Sequence, residues 1–300
     1  MLDIAGRRIL LSIHLLLNSL LIGGLVGIVY LVMTTRGLSN GDELYAAHLV
    51  MFRIHDTLVM NAGFGVIITG LLFSLFTRWG FFDFYWVIFK WVGLAVLFIG
   101  ITFFLAPAIN GMAAISDVER SQVISNPLYR QCESEAVLIA LLLLLLLVAL
   151  VVVSVFKPWG QRKHPFRVQR KTVLLVGSVV GLAVASSALF QFLTLQNYRS
   201  IPITHVDLAT VADGSYVGEA MLAFDQQVEV LIANHTIHRI DILKNDSGIY
   251  AKLAEGVTVK VLKAQTPAVT AVTGATTSST SLLKAIENAI SKGRITQPED

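Results

Sequence analysis

The sequence predicts a membrane protein, a bundle of five transmembrane helices followed by a small α+β domain on the extracytoplasmic side. Three observations carry this. Of 300 residues, 55% are hydrophobic and only 14% charged, a balance that does not suit a soluble globular chain. The composition is also uneven: the charge-free apolar runs lie before about residue 195, while the last hundred residues alternate polar and apolar like a soluble domain. This sets a boundary between a membrane domain, 1–196, and a second domain, 197–300. Third, Lys and Arg are distributed unequally between the connections on the two sides.

Five stretches reach the roughly 20 apolar residues needed to cross a bilayer: about 9–33, 50–76, 84–106, 137–156 and 173–192. The first is too long for the apolar core of a signal peptide and lacks a cleavage site, so it is expected to remain as a span. On one side lie Arg7, Arg8, Arg78, Lys157, Arg162, Lys163, Arg167, Arg170 and Lys171. On the other, Arg36, Arg53, Arg120 and Arg130 are diluted by Asp42, Glu43, Asp117, Glu119, Glu133 and Glu135. The positive-inside rule makes the first side cytoplasmic, placing the N-terminus inside and the C-terminal domain outside. The net charge of +3 is accounted for by these connections, and no nucleic-acid-binding pattern is present. A single cysteine, Cys132, excludes an internal disulfide and any cysteine-ligated cluster within the chain. No glycine fingerprint for a dinucleotide is present, which argues against direct nicotinamide oxidation.

Within the helices, Gly23-x-x-x-Gly27 and Gly177-x-x-x-Gly181 offer small faces for close packing. The second span is unusual: His48, Arg53, His55 and Asp56 cluster at its outer end, with Asn61 nearer the centre, and ionisable groups at such depth are costly unless paired or functional. Three readings stay open. The cluster is a structural ion pair between Arg53 and Asp56; or His55 and Asp56 form the proton-accepting part of a quinone pocket; or a histidine ligates a haem b. His14, the other helical histidine, sits near the inner end of the first span, about 20 Å from His55 along the membrane normal at 1.5 Å per residue. The two cannot share one haem, and His14 is expected to hydrogen-bond within the bundle near Asn18. Lys90 is expected to snorkel, and Trp86 and Trp91 to join the interfacial belt. The outer connection 107–135 is long and is expected to dock under the C-terminal domain.

The C-terminal domain opens with Asp213-Gly214-Ser215-Tyr216-Val217-Gly218. An alternating run from Gln227 to Ile232, a turn at Asn234-His235 and a second alternating run from Ile237 to Ile242 predict two strands. Thr273-Gly274-Ala275 then forms a turn that leads into the hydroxyl run Thr276-Thr277-Ser278-Ser279-Thr280. This run starts a helix with Leu282, Leu283, Ile286 and Ile290 on one face. Hydroxyls at a helix start cap its free N–H groups, and that end attracts phosphate.

In this order, the pieces resemble the FMN-binding domain of the flavin-bearing small subunits of sodium-pumping NADH:quinone reductase and the Rnf complex. The family pattern, close to Asp-x-x-Ser/Thr-Gly-Ala-Thr/Ser, falls on Thr270 to Thr276, with Thr270 where the family usually has Asp. The resemblance implies FMN joined through a phosphoester to Thr276 by a flavin transferase acting on the extracytoplasmic face. It further implies that Gly214, Tyr216 and Gly218 shape the flavin pocket, that Thr273, Gly274 and Ala275 form the phosphate turn, and that Thr277, Ser278 and Ser279 line the phosphate, the two serines donating to its oxygens. The ordinary alternatives are an N-cap hydroxyl for Thr276 and a core aromatic for Tyr216. No metal ligand set is expected.

The expected function is electron transfer from a membrane donor, a quinol or a haem, to FMN and on to an extracytoplasmic acceptor. The expected partners are the lipid bilayer, the transferase and a quinone or membrane redox protein. A flavin-based redox sensor and a subunit of an ion-translocating redox complex are the alternatives.

Overall fold

The computed structural model describes residues 3–77, 79–162, 193, 196–222 and 225–294. Four helices in this set are long and apolar enough to cross a membrane: α1 Ile4–Thr35, α2 Gly41–Phe76, α3 Tyr85–Glu119 and α4 Pro127–Phe156. The expected fifth span, 173–192, and its Gly177 to Gly181 motif lie outside the described residues.

Three helices extend beyond their apolar runs because polar residues cap or continue them. Asn40 accepts the N–H groups of Asp42 and Glu43 and starts α2 nine residues before Val50, with both acids in the first turn where the helix dipole favours them. Asn126 caps α4 in the same way, and Pro127 takes the first position, where its missing N–H costs nothing. The stretch expected as a loop after residue 106 is instead helical to Glu119 and then a short 3₁₀ turn, Arg120–Ser125.

Two spans change their winding. Ile54–Val59 within α2 and Gly100–Leu105 within α3 are π-helical. In α3 the cause is nearby: Pro107 cannot donate to the carbonyl four residues back, that of Phe103, and its ring would clash there. The wider turn before it relieves both problems. In the packing of α1 on α2 the close approach is at Gly24, where an added Cβ would lie 2.7 Å from Val59, rather than at Gly23, which faces open space.

The contacts divide the chain into two compact units. One holds the residues up to Met112 and α4. The other holds Ala113–Val123 together with the C-terminal region, so the end of α3 belongs to the second unit.

The second unit is built on a three-stranded antiparallel sheet, β1 Gly214–Met221, β2 Asp225–Ala233 and β3 Thr236–Lys244, in that order. Asp213-Gly214 is thus the entry to a strand and not a free turn. Asn234 and His235 both adopt positive φ, 50° and 56°, the geometry of a tight two-residue hairpin. The Asp213 carboxylate accepts the N–H groups of both turn residues, at 2.9 and 3.2 Å, which holds its pKa below the ordinary value. On β3, Gln265 bonds both backbone groups of Ile237.

Short helices α5 Ile249–Ala254 and α6 Val257–Ala264 precede α7 Thr276–Lys292. Leu282, Leu283, Ile286 and Ile290 of α7 are fully buried with Val228, Val230 and Ile232 of β2. Each such side chain contributes about 1.5–3 kcal/mol, against at most about 1 kcal/mol for a surface ion pair, so this apolar layer is what fixes α7.

Candidate functional site

The start of α7 is held from three directions. Gly274 takes φ +81°, a conformation that needs no Cβ, and the Ala275 N–H bonds back to the Val272 carbonyl at 3.1 Å. Inside the turn, the Oγ of fully buried Ser279 accepts the Val272 N–H at 3.1 Å. On its other flank, Thr273 donates both its N–H (2.9 Å) and its hydroxyl (3.0 Å) to Oδ2 of Asp117. Lys260 reaches the same oxygen at 2.9 Å and the Thr270 carbonyl at 3.4 Å.

The hydroxyl run divides accordingly. Ser278, Ser279 and Thr280 are buried, and Thr280 bonds back to the Thr276 carbonyl at 3.0 Å. Thr277 accepts a bond from the Arg199 guanidinium at 3.1 Å. Thr276 is different: it is half-exposed, and its hydroxyl has no hydrogen-bond partner among the described residues. No side chain caps the helix, so the first backbone N–H groups of α7 lack an intrahelical acceptor. A free hydroxyl, uncapped N–H groups and an adjacent guanidinium together make this helix start attractive to an anion.

The glycines and tyrosine expected around the flavin all lie on β1, away from the start of α7. A Cβ on Gly218 would sit 2.1 Å from the Ala285 carbonyl and 2.4 Å from the Ala289 nitrogen, so this glycine lets β1 touch the middle of the helix. Tyr216 packs on Gly214 and on Gly293, just past the far end of α7, about 25 Å from Thr276 at 1.5 Å per residue. Its hydroxyl donates to the Ala212 carbonyl at 2.9 Å. These three residues join sheet to helix, and Thr273, Gly274, Ala275, Thr276 and Thr277 are the ones brought together. Asp117, Lys260 and Arg199 complete the cluster. No sequence spacing pointed to them, since Asp117 lies 156 positions from Thr273.

In the first unit, His55 and Asp56 do not converge. Both fall in the π-helical segment of α2, but His55 is 4% exposed while Asp56 is on the exposed side. Arg53 and Asp56 form no ion pair among the described residues. The His55 ring approaches the carbonyl of Ile101, in the π-helical segment of α3, and its Nε2 has no partner among the described residues. His48 is fully buried, with Tyr129 3.2 Å from Nε2 and Nδ1 unpartnered. His14 lies 2.6 Å from the Thr69 hydroxyl, and Asn18 donates to its carbonyl. Beside His14 a hollow of about 390 Å³ is lined by Phe73, Trp79, Trp86, Lys90 and Trp91, among others. Phe73 stands 18 positions along α2 from His55, so the hollow belongs to the opposite end of that helix.

The comparisons with known proteins bear on the second unit. No curated protein and no solved structure matches the chain significantly. A family model described as the FMN-binding domain matches residues 224–291, a range that spans β2, β3, the Thr273 turn and α7. Preceded by long apolar helices, the C-terminal part of this chain therefore carries an FMN-binding domain.

Proposed function

We propose that the chain is a membrane electron-transfer flavoprotein with five spans. It takes electrons from a quinol or haem donor in the bilayer and passes them through FMN, covalently held at Thr276, to an extracytoplasmic acceptor. The observation that carries the reading is Thr276 itself: a half-exposed, uncommitted hydroxyl at the uncapped start of α7, inside a match to an FMN-binding domain. When bound, the flavin supplies one- or two-electron redox chemistry, and the chain supplies attachment, orientation and a place for the donor. The first N–H groups of α7 and the Arg199 guanidinium neutralise the phosphate. The inward bonds of Ser279 and Thr273 keep the turn rigid.

On the donor side, His55 is the proton acceptor of choice. Its Nε2 is buried without a partner, and a neutral imidazole in that state can take a proton from a quinol hydroxyl. In this reading, which the positive-inside rule supports, this end of α2 is on the same membrane side as the flavin. The hollow at His14 is the competing donor position.

The test uses the purified full-length protein, flavinylated by a co-expressed flavin transferase and supplied with a quinol analogue. Bleaching of the flavin absorbance band reports reduction. His55→Ala should slow it about a hundredfold or more, the usual contribution of a positioned acid–base group, with flavin content unchanged, whereas His14→Ala should not. Flavinylated wild type that quinol cannot reduce would remove the quinol reading.

A further inference from the structure

The carboxylate of Asp117 is buried against the turn that leads into Thr276. Its side chain is 7% exposed and is surrounded by donors. Oδ2 takes the Thr273 N–H, the Thr273 hydroxyl and the Lys260 ammonium, and Arg120 stands 3.6 Å from Oδ1. Two of these contacts hold Thr273, the first residue of the turn that leads into Thr276. Lys260 also bonds the Thr270 carbonyl, so one ion pair clamps both ends of the segment 270–273. All of these residues belong to one compact unit, because Ala113–Val123 groups with the C-terminal region.

We propose that Asp117 is the positioning residue for flavin attachment: it fixes the Thr273-Gly274 turn so that the Thr276 hydroxyl is presented to the transferase. The proposal rests on Thr276 being the attachment point. A phosphoester cannot form from a plain phosphate monoester without an activated leaving group, so the donor must be a flavin dinucleotide. The Thr276 Oγ–P bond forms, the pyrophosphate P–O bond breaks, a nucleoside monophosphate leaves, and the hydroxyl proton passes to the transferase. Such in-line displacement tolerates little misplacement of the attacking oxygen. A carboxylate that holds a backbone N–H and a hydroxyl of the same residue removes the rotational freedom of the turn. The Lys260 and Arg120 side chains beside it keep the carboxylate aimed at the turn.

The proposal separates from a purely structural role by rescue. Asp117→Asn keeps the shape and can still accept the Thr273 N–H, but it loses the charge that holds Lys260. Because Lys260 already contacts the Thr270 backbone, Thr270→Asp offers a second carboxylate to the same ammonium.

Full-length wild type, Asp117→Ala, Asp117→Asn and Asp117→Asn/Thr270→Asp are each co-expressed with a flavin transferase. The fraction carrying an FMN-sized mass increment is read from intact mass at a limiting expression time, with thermal unfolding as the control for folding. The expected result is a fall of about tenfold in Asp117→Asn, corresponding to the loss of charge-assisted bonds, and recovery in the double variant. Asp117→Asn and Asp117→Ala flavinylated like wild type would overturn the proposal, as would loss in both with no recovery in the double variant. Wild type without the increment would instead remove the attachment site on which the proposal depends.

Discussion

The two units treat their buried polar groups in opposite ways. In the unit that carries the flavin domain, Asp117 has donors on both oxygens, Ser279 holds a backbone N–H, and buried Glu287 takes Thr204 and Lys284. In the apolar helical unit, His48 Nδ1, His55 Nε2 and Thr102 Oγ1 are buried without partners among the described residues, two of the three within the π-helical segments. Gln226 Oε1 is the exception in the flavin-carrying unit, buried without a partner among the described residues; where the groups are satisfied, polarity serves to hold one geometry. Where a buried nitrogen is left open, it costs stability. The contrast predicts that mutations in the first set damage folding or presentation, and that mutations in the second damage function while sparing the fold.

The largest effect should come from Gly218→Val. Its Cβ would fall on the backbone of α7 at Ala285 and Ala289, and since backbone cannot yield as a side-chain tip does, a loss of about 3 kcal/mol or more is expected in denaturant unfolding. Ser279→Ala comes next. It leaves the buried Val272 N–H without an acceptor, so a cost of about 1–3 kcal/mol is expected from the same measurement.

A smaller effect is tied to pH. Backbone bonds from Asn234 and His235 lower the pKa of Asp213 below its ordinary 3.8. A depressed carboxylate stabilises the fold above its unfolded value, and that contribution is lost as the pH falls through the folded value. Asp213→Asn should therefore be less stable than wild type at neutral pH, with the gap closing below about pH 4. A gap that persists unchanged at pH 2 would assign the loss to something other than charge.

The smallest change in stability is expected from His55→Leu. Replacing a half-satisfied buried imidazole by an apolar side chain is near neutral, so melting should hold within about 1 kcal/mol while quinol-driven flavin reduction collapses. A large drop in melting temperature would place His55 among the structural residues and erase the contrast.

Much of this was legible in the chain. Apolar runs located the four described spans, and period-two alternation located β2 and β3. The turn residues Asn234 and His235 and the start of α7 at Thr276 were also found where the pattern put them. What was missed has physical reasons. The spans are longer than their apolar runs because Asn40 and Asn126 cap them from polar sequence. The π-helical turns leave no periodic signature; only Pro107 hinted at one. Gly218 and Tyr216 were placed in the flavin pocket by the family resemblance alone; their packing, on Ala285 and Ala289 and on Gly293 respectively, is tertiary and leaves no mark in the sequence. Asp117 was visible only as an acid in a connection, since its partners are brought to it by tertiary structure.

The account depends most on the Thr276 hydroxyl. Its direct test is the intact mass of the full-length chain made with a flavin transferase, read with ultraviolet fluorescence of the denatured band and compared with Thr276→Ala. The prediction is a fluorescent wild-type band carrying one FMN-sized mass increment, and a dark, unmodified Thr276→Ala band. A wild type of bare mass, or a Thr276→Ala variant that keeps the increment, would contradict it.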